Sequence, residues 1–148
     1  MPEKSIYKER LDKMEKNYPS SEQLLFLLEH DNKQLSPDVI KEYRSFQKFL
    51  GEVENIKLVH GPAPETIQAG MKSVKISNIN KDNIQMVRSY YQNMGEISPF
   101  ISKNNKLYAS FTVYPDKNFS NKQLHKIEDF LEENNISYNA TGNRYLQQ

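Results

Sequence analysis

The chain has no cysteine and no tryptophan, and only five of its 148 residues are glycine. Without cysteine there is no disulfide scaffold, no thiol nucleophile and no cysteine-ligated zinc or iron–sulfur centre. The glycines stand at 51, 61, 70, 95 and 142. They are too scattered for successive backbone N–H groups to close on phosphate oxygens, which excludes a P-loop or a dinucleotide fingerprint. His30, His60 and His125 do not fall at helical ligand spacing, and no carboxylate completes a metal motif beside them. No metal and no cofactor is expected. The first apolar run, Leu24-Leu25-Phe26-Leu27-Leu28, is far too short to span a bilayer, and no secretory h-region is read ahead of it. Cytoplasmic residence without membrane attachment is the expectation. Asn118-Phe119-Ser120 and Asn139-Ala140-Thr141 fit the glycosylation acceptor pattern, but in an Asn-rich chain without a secretory signal they are read as chance.

Excess charge of one sign is also missing. The net charge is +1, with nine Lys/Arg against eleven Asp/Glu in residues 1–55 and eleven against eight in 56–148. A strongly electrostatic nucleic-acid binder carries a larger basic balance, so this points to a protein partner or to modest affinity for a polyanion. What is present is aromatic: nine Tyr and seven Phe, enough for a packed core despite a mean hydropathy of −0.82.

The first third reads as three helices. Tyr7, Leu11 and Met14 follow i, i+4, i+7 spacing within residues 5–17, and Pro19 stops that helix. Ser20-Ser21-Glu22-Gln23 reads as a capping box opening a second helix that runs to about His30. Ser36 caps a third, with Pro37 in its first turn and Val39, Tyr43, Phe46 and Leu50 on one stripe before Gly51. We therefore expect a helical docking domain over residues 1–55 and a linker over 56–70, where Ile56-Lys57-Leu58-Val59 is a candidate strand and His60 to Pro64 is irregular.

From residue 71 the pattern alternates. A strand at Val74-Lys75-Ile76 precedes a helix over 80–94 with Ile84, Val87, Tyr91 and Met94 on one stripe, ended by Gly95. A short strand over 97–101, interrupted by Pro99, leads through a turn at 102–105 into a long strand over 106–114. There Leu107, Ala109, Phe111 and Val113 face one way and Tyr108, Ser110, Thr112 and Tyr114 the other. Ser120 to Gln123 is another capping box, opening a helix with Leu124, Ile127 and Leu131 inward; a last strand covers 136–140. The expected class is α+β: a three-helix unit, then a ferredoxin-like βαββαβ domain over 71–148 with an antiparallel sheet. Glu128, Asp129, Glu132 and Glu133 read as a solvated acidic helix face, and His125 as a surface residue.

Two resemblances bear on function. Val74-Lys75-Ile76-Ser77-Asn78-Ile79, the Tyr90 to Ile97 stretch and Lys106 to Val113 together resemble a degenerate RNA-recognition motif. That resemblance implies binding of single-stranded nucleic acid on a sheet face through Lys75, Tyr108, Ser110 and Tyr114. Lys75, Leu107 and Ser110 depart from the family pattern, and of the stacking aromatics only Tyr108 is kept, so stacking is reduced. Residues 6–54, with Tyr7 to Met14, Leu24 to Glu29 and Val39 to Leu50, resemble the helicase-binding region of DnaI-type replicative helicase loaders. The zinc-binding cysteines and the ATPase of that family are absent. The resemblance implies docking onto a replicative helicase as adaptor, substitute loader or inhibitor in DNA replication. The expectation is a non-catalytic protein-interaction module; the alternative is a single-stranded nucleic-acid binder using the sheet face.

Overall fold

The computed structural model describes residues 23–31, 34–69 and 71–142. Over these residues the protein is a mixed α/β structure with three helices and a mostly antiparallel sheet. Its elements are β1 (Leu24–His30), α1 (Pro37–Glu52), β2 (Ile56–His60), β3 (Thr66–Ala69), β4 (Lys72–Lys75), α2 (Ile84–Gln92), β5 (Phe100–Lys103), β6 (Lys106–Pro115), α3 (Asn121–Glu133) and β7 (Ser137–Gly142), with short 3-10 turns at Ile76–Asn78 and Gly95–Ile97.

The main sheet runs β2-β6-β1-β7, and β5 pairs with the other end of β6 on the same edge as β2. All these pairs are antiparallel. The connections β1–α1–β2 and β6–α3–β7 therefore each link two strands across a strand belonging to the other. Between them, residues 61–99 form an insert of the β3–β4 hairpin and α2.

The helix expected over the apolar run at 24–28 is instead β1, the strand between β6 and β7. Leu24, Leu25, Phe26 and Leu28 have no accessible surface, and Leu27 has almost none. A strand buried on both faces needs no polar alternation, so its sequence reads like that of a buried helix. The helix expected over 5–17, and Ser20 to Glu22 of the first capping box, lie outside the described residues. With β1 central, residues 24–52 are no separate helical unit: they share one sheet and one core with 106–142. The stretch read as a linker supplies β2 and β3. Nor do the strands of 71–148 make one sheet by themselves, because β4 pairs only with β3 in a two-stranded sheet.

Where a side chain marks a boundary, the structure follows the sequence. Ser36 Oγ accepts from Val39 N at 3.2 Å at the start of α1. Ser120 and Gln123 form the reciprocal capping box of α3, with Ser120 N donating to Gln123 Oε1 at 3.0 Å. Asn104 and Asn105, at φ 55° and 63°, make the two-residue turn between β5 and β6, a conformation that asparagine tolerates. Helix α2 begins four residues later than expected because Asn80 and Asn83 close a turn on themselves: Asn80 Oδ1 accepts from Asp82 N at 2.8 Å, and Asn83 Oδ1 from Asn80 N at 2.8 Å.

The core lies between the sheet and α1 with α3. Phe26, Leu28, Tyr43, Phe46, Leu50, Ala109, Phe111, Val113, Ile127 and Leu131 meet there. Phe46 packs edge-on to Phe111 at 4.9 Å between ring centroids, while Phe49 stacks on Phe130 at 4.4 Å. Ile67, Ile76, Ile84, Val87 and Tyr91 extend this core under the insert. Among the described residues, no helix is long and apolar enough to cross a membrane.

Candidate functional site

The insert builds two adjoining clefts that share Tyr91. Helix α2 puts Ile84, Val87 and Tyr91 inward at helical spacing, leaving Arg88 and Gln85 along one flank and Tyr90, with Met94 just past the helix end, along the other. The Tyr91 ring stands edge-on to Phe100 at 4.7 Å and to Tyr90 at 5.1 Å. Its hydroxyl donates to the carbonyl oxygen of Pro62. Burial, and then the neighbouring Tyr90, pushes its pKa well above the usual phenol range, so it stays a neutral donor.

On one side of Tyr91 is a cleft of about 290 Å³, walled by Leu35, Phe100 and Leu107 and rimmed by Gln34, Gln85, Arg88, Gln92, Ser98 and Ser102. Arg88 Nε donates to Leu35 O at 2.7 Å, which holds the segment before α1 against α2. Its Nη1 reaches Gln85 Oε1 at 3.4 Å. On the other side is a cleft of about 360 Å³ lined by Pro62, Pro64, Thr66, Ile67, Gln68, Tyr90, Met94 and Pro99.

The loop between the clefts is fixed from α1. Gln47 Oε1 accepts from Ala63 N at 2.8 Å, and Arg44 Nη1 donates to Ala63 O at 2.9 Å. This needs a close approach at Gly61, where a Cβ would lie 2.5 Å from Gln47 Oε1 and 2.7 Å from Phe111 Cδ2.

The residues singled out from sequence sit elsewhere. Tyr108, Ser110 and Tyr114 share the face of β6 turned away from α1 and α3, as expected from alternation. Tyr108 is only 1% exposed and packs with Leu27 and Ile101. Ser110 is half-buried, its N–H donating to Pro99 O at 3.0 Å. Tyr114 is half-buried and edge-on to His60 at 5.5 Å. Lys75 is exposed at the end of β4, in the other sheet. The four expected contacts therefore do not form one surface.

Sequence reasoning missed the clefts. The signal was Tyr90 beside Tyr91: one helical stripe absorbs Tyr91 and leaves Tyr90 without a core role. It also missed a hydrogen-bonded chain at the start of α1. Tyr43 Oη lies 2.8 Å from His30 Nδ1, and His30 Nε2 lies 2.6 Å from Glu42 Oε2. Tyr43 is fully buried, which together with the Glu42 charge raises its pKa and keeps it neutral. The geometry fits a chain in which Tyr43 donates to His30 and His30 donates to Glu42. Among the described residues no group of three His, Cys, Asp or Glu side chains could hold a metal. No protein-family model matches the chain, and neither a curated protein nor a solved structure matches it.

Proposed function

We propose that the chain is a non-catalytic protein-interaction module whose two clefts beside Tyr91 grip an extended segment of a partner protein. The carrying observation is their lining. Among the described residues it holds amide, hydroxyl, aromatic, aliphatic and proline side chains, with Arg88 the one charged group. Glutamine amides both donate and accept, which suits the N–H and C=O groups of an extended backbone. Tyr90, Met94 and the prolines suit apolar side chains of the same segment. Among the described residues, no carboxylate, histidine or lysine stands in either lining to move a proton. The frame we assign to it is ferredoxin-like, supported by the two interleaved units β1–α1–β2 and β6–α3–β7.

The narrower form of this reading takes a replicative helicase as the partner, with the chain acting as adaptor or inhibitor in DNA replication. It rests on the resemblance of residues 6–54 to the helicase-binding region of DnaI-type loaders. Within that region α1 is a helix and Leu24 to Glu29 is a strand, so α1 carries what remains of the described part. Nucleic-acid binding through Lys75, Tyr108 and Tyr114 lacks comparable support, since Tyr108 lies inside and Lys75 on the other sheet.

Titration of the full chain against a hexameric replicative helicase tests the reading. The expected result is a complex weakened about tenfold or more, equivalent to about 1.4 kcal/mol, by Gln92→Glu with Tyr90→Ala, compared at a temperature where the variant is fully folded. Absence of a complex removes the helicase as partner. A complex indifferent to both substitutions removes the clefts.

A further inference from the structure

The register of the β3–β4 hairpin shows which main-chain groups it leaves open. Thr66 pairs with Lys75, Ile67 with Val74, Gln68 with Ser73 and Ala69 with Lys72. One step beyond, Ile76 N donates to Glu65 O at 3.0 Å. Bonded and non-bonded pairs alternate along an antiparallel ladder, so Ile67 with Val74 and Ala69 with Lys72 are the bonded ones. The N–H and C=O groups of Thr66 and Gln68 therefore point away from β4, out of the other edge of β3. Among the described residues no strand pairs with that edge, and these four groups have no hydrogen-bond partner. Folded proteins guard such an edge with lysine, proline or a bulge. Strand β4 carries Lys72 and Lys75, both exposed. Strand β3, Thr66-Ile67-Gln68-Ala69, carries no charge and no proline, and its pairing has no register shift.

The unguarded edge lies in the larger cleft, whose lining takes Thr66, Ile67 and Gln68 from β3 and nothing from β4. Resting on the clefts as the grip for an extended segment, we propose that this segment joins β3 as the next strand of the hairpin. Thr66 and Gln68 then supply the main-chain hydrogen bonds that hold it. Residues directly opposite one another on neighbouring strands share a face. Ile67 is buried in the core that α2 shares, whereas Thr66 and Gln68 are exposed. The partner residue opposite Ile67 therefore turns inward, to the part of the cleft lined by Tyr90 and Met94, and its two neighbours face water. Among the described residues this lining holds no charged group. A charged side chain would lose its water there without gaining a counter-ion. The occupant is thus an extended segment with an uncharged, apolar residue at that position, and without proline where its N–H must meet β3.

Random heptapeptides displayed on phage and selected on the full chain supply the probe. The selected peptides are expected to share one fixed apolar position. A synthetic copy is then N-methylated one residue at a time, with the protein unchanged. Only every second N–H of a strand faces β3, so affinity is expected to fall about tenfold or more at alternate residues and little between them. Gln68→Pro removes one outward N–H and no β3–β4 bond, and is expected to weaken the peptide about tenfold, whereas Gln68→Ala keeps the N–H and the affinity. Should Gln68→Pro prevent folding, the N-methyl series decides. A series without alternation overturns strand addition; if Tyr90→Ala still weakens that peptide, the clefts remain the grip. Peptides indifferent to Tyr90→Ala as well overturn both. Failure to select any peptide also overturns the proposal.

Discussion

The Tyr91 hydroxyl donates to the carbonyl oxygen of Pro62, a buried contact between residues 29 apart in the chain. It ties α2 to the loop leaving β2 and forms the wall shared by the two clefts. Tyr91→Phe keeps the ring contact with Phe100 but leaves a buried carbonyl oxygen without that donor. The expected loss of stability is about 1–2 kcal/mol, read as a shift of the denaturant midpoint with an unchanged slope.

Alkaline pH acts on the same hydroxyl. Burial, followed by the charge or hydroxyl of a neighbour, raises the pKa of Tyr91 and Tyr43 above the ordinary phenol value of 10.0. The unfolded chain ionises these phenols near their ordinary value while the folded chain keeps them protonated. Their contribution is therefore complete below pH 10 and is lost as pH rises beyond it, at about 1.4 kcal/mol per pH unit for each group. Melting temperatures followed from pH 8 to pH 11 should fall steeply above pH 10. The fall should be shallower in Tyr43→Phe and in Tyr91→Phe.

His30 joins the end of β1 to α1 through Tyr43 and Glu42. His30→Leu leaves the fully buried Tyr43 hydroxyl without that partner and is expected to cost about 1–3 kcal/mol. Tyr43→Phe added to it removes the stranded hydroxyl, so the double variant should be more stable than the sum of the single losses predicts. A double-mutant cycle from chemical denaturation measures this coupling; strict additivity would show that the chain of hydrogen bonds carries no shared energy.

Local side-chain chemistry made much of the fold legible. Ser36 with Pro37, Ser120 with Gln123, and the alternation of Leu107, Ala109, Phe111 and Val113 act on their own neighbourhood, and each appears where the sequence placed it. The run Leu24 to Leu28 was misread because its partners, β6 and β7, lie more than 70 residues downstream. Nothing local separates a doubly buried strand from a buried helix. The same non-local pairing hides the clefts. Their walls come from Leu35, Pro62, Tyr91 and Phe100, which no spacing rule connects. Lys75 looked like a first-strand residue of the main sheet because β4 has strand character, yet its pairing with β3 is a matter of topology.

Gly61 tests how tightly the cleft loop is held to the core. A methyl group there would meet the Gln47 amide, which caps Ala63 N, and the ring of Phe111, which has no accessible surface. Neither neighbour can yield freely: moving Gln47 breaks a hydrogen bond, and moving Phe111 disturbs its contact with Phe46 at 4.9 Å. Gly61→Ala is therefore expected to cost about 1–3 kcal/mol, as overpacking does in a filled interior. The φ of Gly61 is not in the left-handed region, so the penalty is contact rather than backbone strain. Gly51→Ala provides the comparison, because its added Cβ meets nothing within 4 Å. In the helix α1 it should be neutral or stabilising by up to about 1 kcal/mol. Thermal melts of the two variants side by side measure the difference, and equal melting temperatures would contradict the close approach of this loop to α1 and β6.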